Sequence, residues 1–336
     1  MTPRVGFCCK WIDHPAECAG RKPTSESRDL NGRSTTMRWL REHRNEAEQR
    51  QWDIMNHNAA AALRMVERVG SLPEHKRMVR LGSEMLQGYT EPDWIEWWQQ
   101  ADVQRHLEQI FAPIGARARE LGVRLSFHPG QFCVLASVNE NIVERSIQEF
   151  EYHADMARWM GYGKSFQDFK INVHISGRQG PEGIRKVLGR LSPEARNTIT
   201  IENEENSWGL DDCLTLGDVV PIVLDIHHNW IREGEYIDPN SDRVKRVLDS
   251  WRGVRPAMHY SVSREDLLVG HDPDVLPDMP ALLAAGFKKQ KLRAHSDFYW
   301  NRAVNAWAAS FSPNFDIQCE SKGKNLARDQ FVETFV

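Results

Sequence analysis

The chain has 336 residues, 40% of them hydrophobic, enough for one large barrel or two ordinary domains. Its formal net charge of −4 denies it an overall basic footprint for nucleic acid, although metal-binding carboxylates can offset a basic groove elsewhere. The six cysteines include no C-x-x-C pair, which argues against a zinc ribbon or finger and suits a reducing compartment. At the N-terminus, MTPRVGFCCKW has no apolar run behind a basic start, and no stretch is long enough to span a bilayer. A soluble, cytoplasmic protein is expected. The 12 tryptophans are assigned to core and helix packing.

In chain order, eight short runs rich in Val, Ile, Leu and Phe read as strands: 4–9, 77–82, 123–128, 170–175, 198–202, 222–226, 256–261 and 315–320. Several read as apolar on both faces, the pattern of buried parallel strands. Helical periodicity fills the gaps over 45–69, 94–121, 139–160, 181–191 and 242–251, with Asp93 as the N-cap of the second and Gly161 and Gly253 as stops. The polar, Gly-, Pro- and Ser-containing segment 13–36 is expected to be a long loop over the barrel mouth. Eight alternating units in one domain spanning 1–336 predict a closed (β/α)8 TIM barrel, with an open doubly wound sheet as the alternative.

Ionisable residues recur at the ends of these runs. His128 ends the third, His174 the fourth and Glu202 the fifth. Asp225 lies within the sixth and His228 follows it with D-x-x-H spacing, in a loop in which His227 points elsewhere. His259 lies near the end of the seventh, Glu320 ends the eighth, and His295 sits in the connection before it. A single histidine at a strand end is more often a hydrogen-bonded polar group than a ligand, but a recurring set at the catalytic rim of a barrel is a stronger signal. Imidazole and carboxylate together suit Mn²⁺, Zn²⁺ or Fe²⁺, and eight donors exceed the needs of one ion. A two- or three-metal cluster, which stabilises both the attacking and the leaving oxygen of a phosphoryl displacement, is expected. His57, His106 and His153 fall within helices and are read as packing or surface residues.

Taken as a set, SFHPGQF (126–132), INVHISG (171–177), TIENEE (200–205), LDIHH (224–228), MHYS (258–261), RAHSDFY (293–299) and ESKGK (320–324) resemble the UV damage endonucleases, a family of DNA-repair barrels. The resemblance implies a manganese cluster of two or three ions, with Zn²⁺ or Mg²⁺ as alternatives. Its ligands would be His128, His174, Glu202, Asp225, His228, His259, His295 and Glu320. The implied reaction is incision of double-stranded damaged DNA 5′ to pyrimidine dimers, 6-4 photoproducts or abasic sites by a monomer, leaving a 3′-hydroxyl and a 5′-phosphate. Gln131 and Phe132 occupy the positions that wedge into the duplex, where an aromatic side chain fills the gap left by bases drawn from the stack.

Three positions depart from the family pattern. Glu91, in TEPD, stands where a His-Pro supplies a ligand, so Glu91 joins the expected ligand set. Ala257 stands where a lysine, two residues before the strand-seven histidine, lies near the metals. In place of an asparagine after strand one the chain has Lys10 and Trp11, expected to contact DNA. In the implied catalysis Glu202 and Glu320 hold the ions near the attacking water, and His259 or His295 steadies the leaving oxygen. Arg178, Lys322 and Lys324 are candidate phosphate contacts. The competing readings are a metal-dependent sugar isomerase or epimerase on the same barrel, an endonuclease restricted to abasic sites, and a non-cleaving binder of damaged DNA.

Overall fold

In the computed structural model, which describes residues 2–333, all eight expected runs contain strands. They are β1 (Val5–Cys9), β2 (Met78–Leu81), β3 (Arg124–Phe127), β4 (Lys170–His174), β5 (Ile199–Glu202), β6 (Ile222–Val223), β7 (Ala257–Tyr260) and β8 (Asp316–Cys319). All pair in parallel, in the order β6-β5-β4-β3-β2-β1-β8-β7. Between β6 and β7 the ring is completed by a parallel bridge from Asp225 to His259, with the His259 N–H donating to Leu224 O at 2.9 Å. Helices between successive strands supply the crossovers that parallel pairing requires. The result is the expected (β/α)8 barrel.

Strand alternation sorts the side chains. Phe7, Val79, Leu125, Phe127, Ile171, Val173, Ile201 and Ile317 point outward into one continuous apolar core against the helices. Burying each such side chain contributes about 1.5–3 kcal/mol. The opposite phase points into the barrel and is largely polar: Arg80, Ser126, Lys170, Asn172, Thr200, Glu202, Asp225, His259, Gln318 and Glu320. The expectation of strands apolar on both faces is thereby corrected. Here period-2 alternation puts polar groups where most barrels stack branched aliphatics.

Three further expectations change. The single helix over 94–121 is two, Ile95–Trp98 and Ala101–Leu121. Asp93 does not cap the first of these but pairs with Arg41 at 2.8 Å. The break lets Trp97 and Trp98 turn into an aromatic group with Trp52 and Tyr89. Segment 13–36 is not featureless, since it holds the helix Ser25–Leu30, whose N-cap Thr24 accepts from Ser27 N. Asp225 likewise opens a helix, Ile226–Glu233, rather than a loop. Close helix packing depends on Gly115, where an added Cβ would lie 1.8 Å from Met160 O. No helix among the described residues is long and apolar enough to cross a membrane.

Candidate metal centre

The centre is built around Glu202, the last residue of β5, whose side chain is fully buried in the barrel mouth. Register sets His174 of β4 directly beside it. From below, Thr200 Oγ1 donates to Asn172 Oδ1 at 2.8 Å, and Asn172 Nδ2 donates to Glu202 Oε2. This relay orients the carboxylate before any ligand arrives. His128 Nε2 lies 3.2 Å from Glu202 Oε2, and its Nδ1 faces Pro129 O at 2.8 Å. His174 Nε2 is 3.9 Å from the same oxygen. On the other side, His259 Nδ1 lies 3.0 Å from Glu202 Oε1 and 3.2 Å from Glu320 Oε1.

Asp225 and His228 reach the centre through helix geometry. As N-cap, Asp225 accepts from His228 N through Oδ1 at 2.8 Å, so its Oδ2 is left pointing inward. Asn203 clamps the ends of β5 and β6 by accepting from Asp225 N at 2.8 Å and donating to Asp225 O at 3.0 Å. His228 Nδ1 lies 3.0 Å from Asn203 O and 3.6 Å from Glu202 Oε1. His227 turns away, as expected, and stacks on Trp230.

Three overlapping sets of donor atoms gather closely enough to share a cation: His128, His174 and Glu202; His128, His259 and Glu320; and Glu202, Asp225 and His228. His295 lines the cavity above them with His174, His228 and Glu320. Glu91 is not brought into these sets. It pairs with Arg41 at 3.4 Å and lines a neighbouring cavity of about 610 Å³ that reaches His128 and Lys10.

Electrostatics test whether cations fit. Burial disfavours charge on Glu202, yet His259, His174 and His128 around it hold its carboxyl well below the usual range. Asp225 goes the other way: burial, then the negative charges of Glu202 and Glu320, push it well above that range. Its Oδ2 has no hydrogen-bond partner among the described residues. Burial lowers His128 to about 3, so it stands as a neutral imidazole ready to donate a lone pair. Against the downward pull of burial, Asp225, Glu202 and Glu205 raise His228 to about 9. Crowded carboxylates, the neutral His128 imidazole, a His228 ring held among three carboxylates and an orphaned buried oxygen form a donor set that fits divalent cations.

Several contributors were not anticipated from sequence. Arg80 of β2 pairs with Glu320, and Glu205 lies 3.6 Å from His228 Nε2 while pairing with Arg293 at 2.8 Å. Beside His259 the nearest amine comes not from β7, where Ala257 stands, but from Lys170 across the barrel. The inward phase of β2 and β4 was the available signal for Arg80 and Lys170.

Above the centre opens a cavity of about 660 Å³ lined by Gln131, His174, His228, His295, Arg264, Lys291 and Arg293. Gln131 is exposed at its wall, and Phe132 is 85% exposed. Lys10 and Arg178 are exposed, whereas Trp11 is partly buried, packed edge-on to Phe7 with Arg68 over its ring. Lys322 lies 3.4 Å from Asp297, and Lys324 begins the final helix.

The sequence model of the UV-endonuclease UvdE family matches residues 6–334. The UV-damage endonuclease of Neurospora crassa is 28% identical over 242 residues, which are 64% of this chain but 36% of that longer protein. The UV DNA damage endonuclease of Bacillus thuringiensis is 23% identical over 300 residues, 86% of this chain and 84% of its own. A crystal structure of SacUVDE superposes with a TM-score of 0.73 at 22% identity, covering 99% of this chain and 98% of that one. Endonuclease IV from Thermus thermophilus shares the fold more loosely, with a TM-score of 0.52 at 13% identity over 82% of this chain and 92% of its own. The family pattern thus runs from β1 to the last helix, over the strands that carry the donor cluster, and the chain belongs to the UV-endonuclease UvdE family.

Proposed function

We propose that this chain is a metal-dependent DNA-repair endonuclease, one barrel domain that incises the phosphodiester 5′ to UV photoproducts or related lesions and leaves a 3′-hydroxyl and a 5′-phosphate. The observation that carries the reading is the meeting of Glu202, Asp225 and Glu320 with four imidazoles beneath an open, cation-rimmed cavity. Bound cations supply Lewis acidity at the attacking and leaving oxygens of the phosphate. Mn²⁺ suits the mixed nitrogen and oxygen donors; Zn²⁺ and Mg²⁺ are the alternatives.

The chain's own residues divide the remaining work. Glu202, Glu320, Asp225, His128, His174, His228 and His259 hold the cations, and His295 stands over them at the cavity wall. Arg264, Lys291 and Arg293 offer charge to DNA phosphates, with Lys10 and Arg178 further out. Phe132 and Gln131 project from the mouth as the wedge that fills the space of displaced bases, and a damaged pair costs less to unstack than a sound one. Glu91 contributes, in this reading, at the neighbouring cavity, and Trp11 as support for the wall rather than as a direct contact.

Incision of a duplex carrying one defined photoproduct, with Mn²⁺ and then with chelator, tests the proposal. Metal-dependent cutting on the 5′ side is the expected result. Cutting of an abasic duplex alone would favour the narrower endonuclease, binding without cutting a damage binder, and sugar turnover with inert DNA an isomerase.

A further inference from the structure

Lys170 is the first residue of β4 and points into the barrel, because Ile171 and Val173 take the outward phase. It is 2% exposed, a position where a barrel ordinarily carries a branched aliphatic side chain. Removing an ammonium from water costs several kcal/mol unless the group is well paired. Its amine nevertheless has a close partner at one place: Nζ lies 2.9 Å from His259 Nε2. The other ring nitrogen of His259, Nδ1, faces Glu202 and Glu320. His259 is itself wholly buried, so no solvent is at hand to satisfy Nε2.

We infer that Lys170 is a positioning residue of the centre: from beneath the cluster its amine holds His259 by Nε2 and keeps Nδ1 turned toward Glu202 and Glu320. This deepens the metal-dependent reading above and rests on it. With the proton on Nε2 the amine accepts it and Nδ1 keeps its lone pair for a cation; with Nε2 bare the ammonium donates to it and Nδ1–H faces the two carboxylates. A histidine that ligates through one nitrogen is normally fixed by a hydrogen bond at the other, which sets ring orientation and ligand basicity. In this barrel a lysine does what a carboxylate or carbonyl does elsewhere.

The test uses the full-length chain with Lys170→Met, which keeps the volume and removes the hydrogen bond, and Lys170→Gln, whose amide can donate to or accept from Nε2. Mn²⁺ affinity is read by calorimetry. His259 ring state is read by ¹⁵N chemical shifts in metal-free protein. The expected result is a ~10–100-fold weaker Mn²⁺ affinity and a mixed His259 tautomer in Lys170→Met, both largely restored in Lys170→Gln. Thermal stability should hold or rise, since a buried amine is replaced by an apolar chain. Wild-type affinity and an unchanged His259 signal in Lys170→Met would overturn the inference, as would an equal loss in both variants. If wild type itself bound no Mn²⁺, the metal reading would fall, while the ring signal would still decide whether Lys170 holds His259.

Discussion

The two ends of the barrel interior bury carboxylates in opposite ways. At the floor, Asp316 is fully buried but surrounded by its own chain's donors: Arg124 Nη1 and Arg255 Nε at 2.7 Å each, and the Arg4 N–H at 2.9 Å. At the rim, Glu202 and Asp225 are just as buried, yet they face each other and imidazoles, with no Arg or Lys hydrogen bond to either among the described residues. One end is satisfied by fixed guanidinium groups; the other relies on an amide and imidazoles around Glu202 and leaves Asp225 Oδ2 without a hydrogen-bond partner among the described residues, a place for a cation. Burying a carboxylate is costly in both places, so the difference marks where stability is spent on function.

The strongest way to break this comparison is to remove rim charge. Glu202→Gln should lower incision by about 10²–10³-fold, the scale of losing a central electrostatic group, while the circular dichroism spectrum stays native. His174→Ala should act in the same direction. At the floor the opposite split is expected. Asp316→Asn should cost about 3–5 kcal/mol of stability by stranding Arg124 and Arg255, with incision per folded molecule retained. Denaturant titration alongside the assay separates the two.

Asp225→Asn sharpens the contrast. Its capping oxygen is retained but its unpaired Oδ2 is lost, so metal-free stability should hold. The stabilisation by saturating Mn²⁺, about 2.7 kcal/mol at a hundredfold excess over Kd in wild type, should shrink, as a thermal-shift series would show. Smaller still, Phe132→Ala should reduce cutting at a pyrimidine dimer about tenfold more than at an abasic site, where less stacking has to be replaced. Equal loss on both substrates would remove the wedge.

The smallest effect concerns Glu149, beside the cavity that reaches Glu91. Burial raises its carboxyl to about 7. A carboxyl raised in the folded state binds more protons there than when unfolded. Its contribution is therefore present below the ordinary value of 4.5 and is lost as pH rises through about 7. Glu149→Gln should leave stability unchanged at pH 4 and raise it slightly at pH 8, and melting curves at the two values will show whether it does.

Much of this was legible in the sequence. All eight strands lie within the runs read from apolar patterning, because outward residues such as Ile171, Val173 and Ile201 carry the signal. The runs were trimmed at their ends, most at β6, where Asp225 leaves the ladder to cap a helix. Most rim donors were visible because they lie at or just past the end of a strand, and His228 because of its D-x-x-H spacing from Asp225. Lys170, Asn172 and Arg80 were not, since a polar residue inside a strand reads as a solvent-facing one until the barrel closes over it. Glu205 sat unseen beside Glu202 because adjacent carboxylates ordinarily mark a solvated turn. The helix Ser25–Leu30 was hidden by its brevity and polarity, although Thr24 supplied a usable cap signal.

The most direct test is equilibrium dialysis of the purified chain against Mn²⁺, with metal analysis of wild type and Glu202→Gln in parallel. More than one ion per wild-type chain and sharply reduced uptake by the variant is the predicted result. Equal uptake by both proteins, or none by wild type, would contradict a rim built to take its missing positive charge from bound cations.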